Sequence, residues 1–144
     1  MGGSEDDTGT RVLGIDPGGK RTGLAISDPL GITAQGLDTL VEGNEQKVED
    51  HIVSLIDRYG VEKIVIGMPL SMGGKEIEPS RRSRSLKKRL EKRRDIEVIF
   101  ADERMTSLES ERVLRKGGKV RKKENVDRLA AALILQSYLD GASG

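Results

Sequence analysis

The sequence predicts an α/β fold with one five-stranded mixed sheet, made of an antiparallel meander and parallel strands, with helices on both faces. Three early apolar segments are separated only by short turns, which is typical of consecutive antiparallel strands. Two later apolar runs each follow a segment with helical spacing, which indicates crossover connections and parallel strands. The 144 residues suit one domain, predicted over 11–140, and the polar, Gly-rich residues 1–10 are predicted to be a disordered tail.

The composition excludes several classes of site. The chain has no cysteine, and this excludes a disulfide framework, a thiol nucleophile and cysteine-ligated zinc. One histidine, His51, excludes most histidine-based metal sites, and three aromatic residues leave few platforms for stacking bases. No apolar run approaches the roughly 20 residues that span a bilayer, and no signal peptide is visible. We therefore expect a cytoplasmic protein without a membrane partner.

The first three strands are predicted at 11–16, 22–28 and 32–40. Pro17-Gly-Gly forms the first turn, and Asp28-Pro-Leu-Gly forms the second. The third segment has a broken alternation of apolar and polar residues, which favours a place at the sheet edge. The three segments together predict a meander.

A helix and a buried strand follow the meander. Asn44 is the predicted N-cap of the helix, and Gly60 its end. Lys63–Met68 is a continuous apolar run, typical of a strand buried on both faces and parallel to the first strand. The predicted buried face of the helix consists of Val48, Ile52, Leu55, Ile56 and Tyr59.

A second helix begins at Pro79-Ser80 and has a thin apolar stripe, Leu86 and Leu90, on an otherwise basic surface. The next strand is predicted at Ile96–Ala101. A third helix, with a capping box at its start, is predicted from Thr106 to about Lys116. A basic, mobile segment is predicted to reach Glu124.

The last helix is predicted to start with Asn125 as its N-cap. Three consecutive alanines, 130–132, would let this helix approach the sheet closely. Its predicted apolar side consists of Val126, Leu129, Ala130, Leu133, Ile134 and Tyr138.

Basic residues concentrate in two segments. Residues 75–94 contain ten Lys/Arg and three Glu, and residues 111–124 contain seven Lys/Arg and two Glu, although the whole chain has a net charge of only +1. This asymmetry favours a polyanionic partner. Two solvated helix faces would give the same pattern, so both interpretations stay open.

Three acids occupy the ends of predicted elements. Asp16 ends the first strand, Glu103 follows the last strand beside Asp102, and Asp127 lies in the first turn of the last helix. The carboxyl ends of parallel strands meet at one sheet edge, where open α/β sheets bind ligands. Three carboxylates without His or Cys suit Mg²⁺ or Mn²⁺, and two such ions can promote phosphodiester hydrolysis.

Each feature has a plainer interpretation. Asp16 before Pro-Gly is also an ordinary turn residue, and Asp102 or Glu103 could precede a helix. Asp127 could interact only with the helix dipole. The glycines around the first turn also resemble a hairpin that binds phosphate.

Five segments resemble the YqgF/RuvX family over about residues 11–140. They are Gly14-Ile-Asp-Pro-Gly, Lys20-Arg-Thr-Gly-Leu-Ala, Ile66-Gly-Met-Pro-Leu, Asp102-Glu-Arg-Met-Thr-Ser and Val126-Asp-Arg-Leu-Ala-Ala. The resemblance implies an RNase H-like fold. It also implies a nuclease that resolves Holliday junctions or matures the 5′ end of precursor 16S ribosomal RNA.

The resemblance also implies site residues. Asp16, Glu103 and Asp127 would be the catalytic residues and the ligands of two Mg²⁺ or Mn²⁺ ions, with Asp102 as the alternative to Glu103. Lys20, Arg21 and Arg104 would contact substrate phosphates, and Ser71 lies in a loop, Pro69–Lys75, that would close over the substrate.

Other functions and assemblies remain open. A nucleic-acid-binding accessory factor without catalysis would also need the basic segments, and sugar kinases and actin share the acid-ended hairpin but normally need two domains. We expect the substrate to be structured RNA or branched DNA. We expect a monomer or a homodimer, since symmetric cutting of a junction requires two active sites.

Overall fold

Five strands and three helices make up the part of the chain that a computed structural model describes, residues 11–68, 80–102 and 123–143. Side chains at 80, 102, 123–127 and 142–143 lie outside this description. The elements are β1 (Arg11–Asp16), β2 (Arg21–Ser27), β3 (Ala34–Val41), α1 (Glu45–Tyr59), β4 (Val61–Met68), α2 (Ser80–Arg93), β5 (Glu97–Asp102) and α3 (Lys123–Ser143).

The strands form one mixed sheet in the order β3-β2-β1-β4-β5. β2 is antiparallel to both β1 and β3, whereas β4 is parallel to both β1 and β5. Ile15 pairs with Ile66, which pairs with Phe100, so the carboxyl ends of β1, β4 and β5 meet at one sheet edge. The predicted meander, the parallel strands and the edge position of the third strand are confirmed.

Helices cover both faces of the sheet, as predicted. On one face α1 and α2 enclose a core that includes Leu13, Ile52 and Leu90. On the other face α3 encloses a second core, which includes Val12 and Leu135. β1 contributes alternate residues to the two cores, because successive side chains of a strand point to opposite faces.

The predicted caps of α1 are confirmed. The Asn44 side chain accepts a hydrogen bond of 3.0 Å from the backbone N–H of Lys47. Gly60 adopts φ = 65°, a left-handed conformation that costs glycine little. No helix in the described ranges combines the length and apolar character needed to cross a membrane.

Two predictions about the last helix are wrong. α3 includes Lys123 and Glu124, so Asn125 lies inside the helix and is not its N-cap. Lys and Glu are good helix formers, and they extend the helix beyond the expected cap. The fully buried side consists of Ala131, Ile134, Leu135 and Leu139, whereas Leu129, Ala130 and Leu133 are half-buried. The apolar residues of this helix are distributed around its whole circumference, so their spacing did not identify the packed side.

Several predicted segments lie outside the described residues. They are the tail at 1–10, the loop at 69–75, the helix at 106–116 and most of the basic segment at 117–124.

Glu49 links α1 to α2 through a buried ion-pair network that the sequence analysis missed. Its side chain is only 7% exposed, and its two carboxylate oxygens accept hydrogen bonds of 3.0 Å from Arg89 and 2.6 Å from Arg93. Arg93 also pairs with Asp50 at 2.9 Å. Glu49 precedes Ile52 by three residues and Ile56 by seven, a spacing that places it on the buried side of α1. That spacing was the available signal.

We expect Glu49→Gln to lower the free energy of unfolding by about 2 kcal/mol at pH 7, because it weakens two charged hydrogen bonds. Burial alone would raise the pKa of Glu49, but the hydrogen bonds from Arg93 and Arg89 outweigh it and hold the pKa below its ordinary 4.5. This contribution is present above the unfolded pKa and is lost as the pH falls through the lowered folded pKa. Denaturant unfolding at several pH values tests both effects.

Glu91→Gln is the matched control for this prediction. Glu91 is exposed, and its only ion pair among the described residues is a 3.9 Å contact with Lys87. An exposed pair of this kind contributes less than about 1 kcal/mol. Equal losses in the two variants, or an unchanged acid sensitivity in Glu49→Gln, would contradict the role of the network.

Candidate active site

Asp16 is the last residue of β1 and is half-buried at the carboxyl edge of the sheet. The alternation of side chains along a strand places it on the same face as Val12 and Gly14. Val12 belongs to the core enclosed by α3. Asp16 is therefore on the face that α3 covers, where the strand reaches the sheet edge.

The contacts of α3 give its direction across the sheet. An ideal Cβ at Gly14 would lie 2.8 Å from the Cβ of Leu135 and 3.2 Å from the carbonyl oxygen of Ala131, so the helix lies directly on β1 there. Farther along α3, the Tyr138 hydroxyl is 2.8 Å from Nζ of Lys63, near the amino end of β4. α3 thus runs opposite to β1 and β4, and its first turns point toward the Asp16 edge.

Ideal strand and helix geometry put positions 16 and 127 at similar distances from the contact between Gly14 and Ala131, measured along the β1 axis. From Gly14 to Asp16 the strand advances about 6.6 Å, at 3.3 Å per residue. From Ala131 back to Asp127 the helix advances about 6 Å in the same direction, at 1.5 Å per residue. Asp127 is also one helical turn before the buried Ala131, on the packed side of α3.

Asp102 ends β5 opposite Met68, at the same sheet edge. Ile99 and Ala101 pack against the core under α3, whereas Val98 belongs to the core under α1 and α2. Position 102 follows Val98 by four residues, so the alternation along the strand places it on the same face as Val98. This face is opposite to the face of Asp16. Glu103, Arg104 and Ser71 lie outside the described residues.

Lys20 lies in the turn that follows Asp16, and Arg21 begins β2, which pairs with β1. Lys20 is exposed in the turn between β1 and β2. Arg21 precedes Ala25 by four residues in β2, so both lie on the same face of the sheet. Ala25 belongs to the core under α3, and this is also the face of Asp16. Nε of Arg21 is buried, and among the described residues no atom accepts a hydrogen bond from it. A buried donor without an acceptor is energetically costly.

The turn after Asp16 packs against the start of α2. A Cβ at Gly18 would collide with the Arg21 carbonyl, so the tight turn requires glycine at this position. The Arg82 guanidinium lies over Gly19, with its nearest nitrogen 3.8 Å from where a Cβ would stand. The sequence analysis did not single out Arg82. A surface cleft here is lined by Pro17, Gly18, Gly19, Glu45, Arg82 and Ser85.

Arg128 fastens the first turns of α3 to β3, another contact that the sequence analysis missed. Its Nε donates a 3.1 Å hydrogen bond to the carbonyl of Leu37, and its Nη2 lies 2.8 Å from Asp38. The aliphatic part of the side chain occupies the space that a Cβ at Gly36 would need. Arg128 follows Asp127 directly, so this contact fixes the backbone that carries Asp127.

The structure describes only some of the residues of the predicted metal site. Within the described ranges, no three His, Cys, Asp or Glu side chains are close enough together to hold a metal ion. Of the predicted ligands, the side chain of Asp16 is described, the backbone of Asp127 is placed, and Glu103 lies outside. The predicted ligands have only oxygen donors, which fit a hard divalent cation and not a thiolate- or imidazole-bound metal.

Comparison of the sequence with protein families gives one match over almost the whole chain. The model of the RuvX family, described as Holliday junction resolvase, matches residues 10–141. A protein of Sulfurihydrogenibium sp. (strain YO3AOP1) is 45% identical over 136 residues, 93% of this chain and 92% of that protein. A protein of Dictyoglomus thermophilum is 44% identical over 135 residues, 92% and 97% of the two chains. Both are named "Putative pre-16S rRNA nuclease".

Solved structures share the fold at low sequence identity. RuvC of T. thermophilus, in complex with a Holliday junction substrate, has a TM-score of 0.60 at 16% identity and covers 94% of this chain and 96% of its own. The Fowlpox virus resolvase, in complex with Holliday junction DNA, has a TM-score of 0.58 at 14% identity, with coverage of 94% and 100%. The predicted RNase H-like fold is confirmed.

Proposed function

Since the chain belongs to the RuvX family of Holliday junction resolvases, we propose that Asp16, Glu103 and Asp127 form a divalent-metal site that hydrolyses phosphodiester bonds in structured nucleic acid. The predicted enzyme class, a nuclease, is confirmed by the family match and by the relatives' names. The observation that supports the proposed site is the close contact of α3 with β1 at Gly14, together with the direction of α3, whose first turns lie toward the Asp16 edge.

Glu103, which follows β5 in the sequence, is the proposed partner of Asp16 and Asp127. Position 102 has the register of Val98, on the face of α1 and α2. If the alternation of β5 continues for one more residue, position 103 takes the register of Ile99 and Ala101, under α3. Glu103 would then share a face with Asp16, and Asp102 would not.

The proposed cofactor is Mg²⁺ or Mn²⁺, held by the carboxylates of Asp16, Glu103 and Asp127. Bound ions of this type lower the pKa of water and stabilise the charge of a phosphodiester under attack. The three carboxylates would hold these ions, and the guanidinium of Arg21 would add positive charge for a phosphate oxygen. Lys20 and Arg104 add positive charge around the scissile phosphate, and Ser71 contacts the substrate from its loop.

The proposed physiological reaction is 5′-end processing of precursor 16S ribosomal RNA, which the names of relatives at 45% and 44% identity favour. Holliday junction resolution is the second candidate, and the description of the family favours it. The two reactions need different assemblies, because a junction must be cut symmetrically on two strands by a dimer. One active site is enough for RNA processing.

Cleavage assays with the wild-type protein and Mg²⁺ or Mn²⁺ test this proposal. Two substrates should be compared: an RNA that contains the 5′ end of precursor 16S rRNA, and a four-way DNA junction. Each assay needs a chelator control. The solution mass of each protein–substrate complex should also be measured. We expect metal-dependent cleavage of the RNA. Binding of both substrates without cleavage in either metal would contradict a nuclease and favour an accessory factor.

A further inference from the structure

Most cations of α2 belong to one of two sets, and Arg82 and Lys87 belong to neither. One set faces α1 and is paired: Arg89 and Arg93 bind Glu49, and Arg93 also binds Asp50. Arg94, just after the helix, pairs with Asp57 at 2.5 Å. These three arginines join α2 to α1 and are partly neutralised by its acids.

The second set points to solvent. Arg81, Arg84, Lys88 and Lys92 are all exposed and lie on one side of α2, at spacings of three, four and four residues. Lys88 and Lys92 have no ion-pair partner among the described residues. We call these four residues the outer row. At 1.5 Å per residue, the outer row extends about 16 Å along the helix.

The outer row begins beside the candidate active site. Arg82, in the same turn of α2 as Arg81, lies over Gly19 in the turn that follows Asp16. Arg81 and Arg82 line the cleft with Pro17, Gly18 and Gly19. Farther along α2, Arg81, Arg84, Lys88 and Lys92 line a groove together with Ser85, Arg89, Arg93 and Glu49. Exposed cations therefore extend from the Asp16 turn to Lys92.

We propose that the outer row binds the phosphate backbone of a double-helical segment next to the scissile bond, with Arg82 bridging the row to the active site. This inference rests on the proposed function, because it concerns the same nucleic-acid substrate. One strand of a duplex advances about 3.4 Å per phosphate along the axis, so about 16 Å corresponds to roughly five phosphates. The row contacts backbone charge and reads no base sequence.

A duplex fits this surface better than an unstacked strand does. Binding of single strands relies on aromatic side chains that stack on bases. The chain has three aromatic residues. Tyr59 contacts Arg11 and Arg58, Phe100 contacts Lys87, and Tyr138 contacts Lys63, so each ring faces a cation of the protein. None of the three lines the groove of the outer row.

The salt dependence of binding tests the proposal without requiring catalysis. Dissociation constants should be measured in chelator, over a range of salt concentrations, for RNA and DNA duplexes and for a single strand. The proteins are the wild type, Lys88→Gln, Lys92→Gln and the double variant. Lys47→Gln is the matched control, since it removes one exposed positive charge from α1.

We expect each single outer-row variant to reduce the slope of log K against log salt by about 0.9 on B-DNA, and the double variant by about 1.8. Lys47→Gln should leave the slope unchanged. Unchanged slopes in the outer-row variants, or changes confined to the single strand, would overturn the inference. Comparing the RNA and DNA duplexes identifies which backbone is bound more tightly. Because no hydrolysis is measured, a failure of the proposed catalytic site would leave this result unaffected.

Discussion

Asp16→Asn is expected to reduce the rate of metal-dependent cleavage by at least about 100-fold, the scale of a single electrostatic contribution to a transition state. The amide has nearly the same shape as the carboxylate but lacks its negative charge, so the site loses a cation ligand. Asp16 is half-buried at a strand end and not inside either core, so we expect the fold to be retained. Single-turnover rates at saturating protein measure the effect, and thermal unfolding verifies the fold.

Asp95→Asn is the matched control for the loss of one carboxylate charge. Asp95 is exposed between α2 and β5, at the start of the strand and away from the carboxyl edge of the sheet. We expect its cleavage rate to equal that of the wild type. If Asp16→Asn cleaves as fast as Asp95→Asn, Asp16 has no catalytic role.

Gly14→Ala is expected to lower both the stability of the fold and the rate of cleavage. The added Cβ would lie 2.8 Å from the Cβ of Leu135 and 3.2 Å from the backbone oxygen of Ala131. The helix must shift to relieve these contacts, and overpacking of this kind costs about 1–3 kcal/mol. The same shift moves Asp127 relative to Asp16. We therefore expect cleavage to fall further than the folded fraction does.

Gly43→Ala is the control for Gly14→Ala. A Cβ at Gly43 would meet only the Gly19 carbonyl oxygen, at an ordinary contact distance of 3.8 Å. Denaturant unfolding and single-turnover cleavage should be measured for both variants. Equal stability of the two variants would show that α3 does not lie against β1 as closely as described, and it would remove the basis for placing Asp127 beside Asp16.

Local patterns in the sequence predicted most of the fold. The caps Asn44 and Gly60 act within a few residues, and β4 follows from a continuous apolar run, so each could be identified from its own segment. The packed side of α3 could not be identified in this way, because the helix carries apolar residues on all of its sides. Its position depends on the absence of side chains at Gly14 and Gly36, in strands more than 90 residues away in the chain.

The residues of the candidate site likewise differ in whether local sequence could identify them. Asp16 could be selected because it ends an apolar strand and precedes a turn. Arg82 and Arg128 could not, because their contacts with Gly19 and β3 depend on how distant segments pack. The ion pairs of Arg89 and Arg93 likewise depend on the acids of α1. The choice between Asp102 and Glu103 follows from the register of β5 and stays a prediction.

Binding of Mn²⁺, measured by calorimetry, tests the central claim that Asp16, Glu103 and Asp127 share one metal site. The wild type should be compared with Asp16→Asn, Glu103→Gln and Asp127→Asn, with Asp102→Asn as the control. We expect each of the first three variants to weaken Mn²⁺ binding by at least about 10-fold and Asp102→Asn to bind like the wild type. Unchanged affinity in Asp16→Asn or Asp127→Asn, or a loss in Asp102→Asn without one in Glu103→Gln, would contradict the proposed site.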